Sequence, residues 1–167
     1  LAEGKGRILV LAPATLRAQW QSELWDKFGI TAMCLDGPTA KAMGRVNPFD
    51  ASVPVIASVP FAVNRAHDVA RVPWDLVIID EAHRLRNAYR QGHRSGRAMR
   101  ESLAGRPKLL LTATPLQNDL FELFGLASLI DETILGTEDS FRALYSPLLA
   151  PPPVPGAPDE REKLADR

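Results

Sequence analysis

The feature that most limits how this chain can fold is a series of short runs rich in apolar residues, at positions 7–11, 31–35, 53–57, 76–79 and 108–111. A strand wetted on one face alternates apolar and polar residues, whereas runs apolar on both faces suit a parallel sheet covered by helices on each side. Between the first two runs Leu16, Trp20, Leu24 and Phe28 recur at every fourth position, which places them on one helical face, and Gly29 follows as a stop. A second helix is expected over residues 95–104, closed by Gly105. A third should follow Asn118, with Asp119 and Glu122 as an Asp-x-x-Glu capping box and Leu120, Leu123, Phe124 and Ala127 as its apolar face. The repeated strand–helix order predicts an α/β fold of three layers around a mostly parallel sheet.

At 167 residues, 46% hydrophobic and 24% charged, the chain has the makings of one domain with a substantial core, which argues against a disordered or fibrous protein. Its formal net charge is zero, so any nucleic-acid surface must be local. The single cysteine, Cys34, excludes an internal disulfide and fits a reducing, intracellular setting. The apolar runs are too short to span a bilayer, and no membrane association is expected. Residues 1–6 read as a helix end followed by a turn, which suggests a piece of a longer protein. From Ser146 the sequence becomes proline-rich and then charged. Two segments are therefore expected: a domain over residues 1–145, and a linker or disordered tail over 146–167.

In an open parallel sheet, ligands bind at the carboxyl ends of the strands, and Asp80-Glu81-Ala82-His83 directly follows the run 76–79. A carboxylate there can hold Mg²⁺, a hard cation that favours oxygen and keeps several waters beside a nucleotide, and Asp80 is the metal candidate. Glu81 can accept the proton of a water aligned with a terminal phosphate, which makes it the candidate general base. Taken alone, the same pair also suits a helix cap, where acids are favoured by free N–H groups and the helix dipole. The run 108–111 ends in Thr112-Ala113-Thr114-Pro115-Leu116-Gln117-Asn118. Hydroxyls at a neighbouring strand end can couple to the acidic box, or can bond their own backbone while Pro115 stops the ladder.

Three stretches together carry a resemblance: Leu9-Val10-Leu11-Ala12-Pro13-Ala14-Thr15-Leu16 with Gln19-Trp20, then 77–87 around the acidic box with its Arg86-Asn87 ending, then 109–118. In order and spacing they resemble helicase motifs Ia, II and III of the Swi/Snf-type superfamily-two ATPases with an Asp-Glu-Ala-His box, over residues 7–145. The resemblance implies the first of two RecA-like, P-loop-NTPase-type lobes that hydrolyse ATP between them and move on double-stranded DNA. Its cofactors are ATP and Mg²⁺; its partners are the duplex and the second lobe of the same chain. Carried over by residue, Asp80 and Glu81 keep the roles argued above, and His83 joins them in linking the nucleotide site to the second lobe. Thr112, Thr114 and Gln117 fall in the coupling motif. Pro13, Thr15 and Gln19 fall in the motif that touches the DNA backbone. Ala82 stands where many eukaryotic remodellers carry Gly, and Arg86 where they carry Lys, which points to a bacterial or outlying branch. The implied location is the cytoplasm or nucleoid of a bacterium, or the nucleus of a eukaryote.

Thr15 is expected to open the helix after the first run, where its hydroxyl and free N–H groups could take a phosphate; as plain structure it would be a cap, and Trp20 core. Arg86, Arg90, Arg94 and Arg97 would line one side of a helix, either as a basic stripe or as a solvated face. His67 and His93 have no metal-binding spacing. The sequence contains no Gly-x-x-x-x-Gly-Lys-Ser/Thr loop, and Gly4-Lys5-Gly6 does not substitute for one. The sheet is accordingly expected to be incomplete at its N-terminus, the residues contacting the phosphates are not identified, and the chain alone is expected to be inactive. The competing expectation is a catalytically degenerate lobe kept as a nucleic-acid or protein binding module. A restriction-type translocase fits the Leu116-Gln117-Asn118 and Arg86-Asn87 continuations less well.

Overall fold

A computed structural model describes residues 6–85, 94–114, 120–131 and 133–149. Chain contacts divide it into two units, residues 1–136 and 137–167. The first unit holds five strands in the order β2-β3-β1-β4-β5, all neighbours parallel: β1 Ile8–Leu11, β2 Met33–Cys34, β3 Val55–Ala57, β4 Leu76–Ile79 and β5 Lys108–Leu110. Each of the five apolar runs named from the sequence supplies a strand. The central strand β1 has Leu9 and Leu11 fully buried and Val10 nearly so, and in its neighbour β3 all three residues are fully buried.

Alternation along the strands sends side chains into two core layers. Leu9, Leu11, Val55, Ala57, Val77 and Ile79 join Phe49, Trp74, Met99 and Leu103 on one side. Val10, Ala12 and Ile56 join Ala32 on the other, with Trp20 and Leu24 packed against them. Each fully buried Leu, Ile or Val contributes about 1.5–3 kcal/mol. The buried Trp74 indole donates to the Val69 carbonyl at 3.0 Å and meets Phe49 edge-on, its ring centroid 6.5 Å away.

The thinner layer is roofed by α1, Arg17–Phe28. Gly29 ends it at φ 63°, where its N–H bonds the Trp25 carbonyl and the N–H of Ile30 bonds that of Leu24. The predicted face is only partly covered, since Trp20 and Leu24 are half-buried while Phe28 is 69% exposed. Thr15 does not open this helix. It is exposed in a 3-10 turn, Ala14–Leu16, and α1 starts at Arg17 without a side-chain cap, because Pro13 with φ −51° and ψ 143° turns the chain one step earlier. The other elements of this unit are α2 Gly37–Ala42, α3 Val59–Asn64, α4 Ala66–Ala70, α5 Arg94–Ser102 and α6 Leu120–Ile130.

The apolar face expected for the third helix is corrected in α6. Leu123 is exposed, while Phe121, Glu122, Phe124, Gly125, Leu126, Ser128 and Leu129 are buried. A helix apolar almost all round carries too little periodicity to declare its inner side. Asp119 of the expected capping box lies outside the described residues, as do Arg86 and Arg90 of the arginine series. Arg97 pairs with Glu101 at 2.8 Å, both exposed. In the second unit, α7 runs Glu138–Leu149, so the proline-rich change at Ser146 begins within a helix. Among the described residues no helix is long and apolar enough to cross a membrane.

Candidate nucleotide site at the strand ends

The acidic box sits where the carboxyl ends of three adjacent strands meet. The Asp80 N–H bonds the Leu11 carbonyl at the end of β1 (2.8 Å), and the Ala82 N–H bonds the Leu111 carbonyl just beyond β5 (2.9 Å). The turn is thus tied to both neighbours of β4. At the other end of the strands, the Asp75 carboxylate accepts the Gly6 and Arg7 N–H groups, each at 3.0 Å, which fixes the entry of β1 beside that of β4. Glu81 adopts φ 52°, among the described residues the one non-glycine in the left-handed region. A four-residue 3-10 turn, Ala82–Leu85, follows, with Ala82 and Leu85 buried.

Asp80 is held at both oxygens. Its Oδ1 accepts the Glu81 N–H at 2.9 Å, and its Oδ2 accepts the indole N–H of Trp20 at 2.8 Å. Glu81 Oε2 lies 3.1 Å from His83 Nδ1, yet it makes no well-aligned hydrogen bond, so the contact is best described as electrostatic proximity. The same ring nitrogen is 3.3 Å from Thr112 Oγ1, with the donor set by the histidine tautomer. Thr112 Oγ1 also accepts the Thr114 N–H at 3.3 Å. Thr112 thus bonds its own turn and lies within reach of His83, while Pro115 lies outside the described residues. Thr114 is exposed, and Gln117 lies outside the described residues.

Asp80 lines two clefts. One, of about 380 Å³, is lined by Pro13, Ser58, Val59, Asp80, Glu81 and Arg84 among others. The second, of about 450 Å³, runs along α1 past Gln19, Trp20, Leu24 and Phe28. A larger cavity of about 580 Å³ opens at the amino end of β5, beside Arg106 and Lys108, away from the acidic box. Pro13 and Gln19 thus line clefts that also contain Asp80. Gln19 donates to Glu23 at 2.9 Å, which with Lys27 holds the Glu23 carboxyl below its ordinary value. Sequence reasoning missed Ser58, the cap of α3 at the end of β3, and the bond of Trp20. Ser58 could have been found from the strand-end rule once β3 was placed beside β1.

Among the described residues no three His, Cys, Asp or Glu side chains converge on a metal position. Asp80 is a carboxylate that could hold Mg²⁺ together with water and phosphate oxygens, which is how this ion is usually held beside nucleotides.

The SNF2-related domain model matches residues 2–166. An uncharacterized ATP-dependent helicase of Bacillus subtilis (strain 168), YqhH, is 36% identical over 142 residues, covering 84% of this chain and 23% of that protein. Human DNA repair and recombination protein RAD54B is 28% identical over 96% of this chain and 17% of its own length. The TATA-binding protein-associated factor mot1 of Schizosaccharomyces pombe is 27% identical, over 93% of this chain and 8% of its length. The Sulfolobus solfataricus SWI2/SNF2 ATPase core in complex with dsDNA superposes with a TM-score of 0.65 at 19% identity, over 81% of this chain and 27% of that one. The parallel five-stranded sheet with helices on both faces is thus the RecA-like fold of an SNF2-type ATPase core. The chain belongs to the SNF2-related domain family. It spans less than a quarter of the length of these relatives.

Proposed function

We propose that the protein carrying this chain is a DNA-dependent ATPase that hydrolyses ATP with Mg²⁺ and moves on double-stranded DNA, with residues 1–145 forming most of its first RecA-like lobe and 146–167 a linker or tail. The observation that carries this reading is the acidic box hydrogen-bonded between β1 and β5, with His83 within reach of both Glu81 and Thr112. Bound Mg²⁺ would offset charge on the phosphates, and Asp80 would hold it. Glu81 takes the proton of the attacking water, its side chain one-third exposed to the cleft that Asp80 shares. His83 and Thr112 relay the state of that carboxylate to the end of β5, while Thr114 and Gln117 continue the relay toward a second lobe. Pro13, Thr15 and Gln19 contact the DNA backbone, which positions the duplex without reading its sequence. The setting is intracellular, wherever the DNA is.

Glu81→Gln tests the assignment of the base. A general base is worth about 10²–10⁴-fold, so turnover in the full-length protein should fall at least about 100-fold while ATP is still bound. Turnover retained within about threefold would remove Glu81 from the mechanism.

A further inference from the structure

The indole N–H of Trp20 reaches Asp80 across sixty positions of sequence, from the first turn of α1 to the end of β4. Trp74 offers a contrast. That indole is buried and donates to the Val69 carbonyl, as any enclosed N–H must find a partner. Trp20 is only half-buried and lines an open cleft, so water could satisfy its N–H; burial does not force the bond to Asp80. Its ring nevertheless packs against the layer of Val10, Ala12 and Ile56, which fixes the donor in space.

We propose that Trp20 is a positioning residue for the nucleotide-borne metal, its N–H holding the Asp80 carboxylate in the orientation that presents its free lone pairs to hydrated Mg²⁺. The inference rests on Asp80 being the metal residue. A carboxylate has about four acceptor sites. One is used by the Glu81 N–H and one by Trp20, from opposite oxygens, so rotation of the group is blocked at both ends. Among the described residues no further hydrogen bond takes the remaining sites, and Asp80 lines two clefts. Phenylalanine at position 20 would fill much of the same space against the core but would leave Oδ2 without its anchor.

The test is the Mg²⁺ concentration giving half-maximal binding of a fluorescent, non-hydrolysable ATP analogue to the full-length protein, compared among wild type, Trp20→Phe and Asp80→Asn. A partner that orients a metal ligand is typically worth about 10–100-fold in metal affinity. Trp20→Phe should therefore raise the Mg²⁺ midpoint about 10-fold, with binding restored at high Mg²⁺, a rescue that a general packing defect would not show. Benzothienylalanine at position 20, which keeps the bicyclic shape and lacks the N–H, should behave like phenylalanine and carries the test if the phenylalanine variant does not fold. Wild-type midpoints for both Trp20 variants, with Asp80→Asn shifted, would overturn the proposal and leave Asp80 as the metal residue. An unshifted Asp80→Asn midpoint would overturn the assignment of Asp80, and the proposal with it.

Discussion

Glu81, the proposed general base, sits on an unfavourable backbone. A left-handed φ of 52° costs a residue with a Cβ about 1–2 kcal/mol, and the turn holds it there through the Asp80 Oδ1 bond and the bonds of Ala82 and Arg84. Glycine removes that cost but loosens the unfolded chain, so Glu81→Gly should leave the thermal midpoint of the full-length protein unchanged or slightly raised while hydrolysis is lost. Glu81→Val, branched at Cβ, should lower the midpoint clearly. A midpoint lowered equally by Gly and Val would show that the side-chain contacts of Glu81, and not its backbone, set stability here. The place of Glu81 at a strand end was legible from the apolar run before it, but its φ was not, because backbone sign at one residue follows from how the turn is tied to β1 and β5.

Among the elements, the strands and the glycine stop of α1 could be read from sequence, since each depends on residues near one another in the chain. The inner face of α6 could not, because a helix apolar all round leaves the choice to its neighbours. The entry to α1 was misplaced because the 3-10 turn set by Pro13 leaves no mark in hydrophobic spacing. The short helix α2 shows what a local cap contributes. Asp36 accepts the Thr39 N–H at 3.0 Å, with Pro38 in the first turn, and that bond holds its carboxyl below the ordinary value. The folded value is lowered, so the stabilisation is present above the unfolded carboxylate value and is lost as pH falls through the folded one. Asp36→Asn should therefore be less stable than wild type between pH 5 and 7, with the gap closing below about pH 4. A gap that widens on acidification, read from thermal midpoints across this range, would contradict the assignment.

At the scale of the molecule, the acidic box and the threonine turn were visible as motifs, but their union through His83 and the reach of Trp20 to Asp80 needed the sheet order that brings β1, β4 and β5 together. The 167 residues contain no Gly-x-x-x-x-Gly-Lys-Ser/Thr motif of the kind that holds nucleotide phosphates. The isolated chain is expected to show no Mg²⁺-dependent ATP hydrolysis, and turnover abolished by Glu81→Gln in that chain would refute this. The most direct measurement of the central claim is ATP hydrolysis by the full-length protein with and without double-stranded DNA, for wild type beside Glu81→Gln. Strong stimulation by the duplex that vanishes in the variant is the predicted result. Absence of hydrolysis in folded, DNA-bound wild-type protein would contradict it and identify a lobe retained for binding.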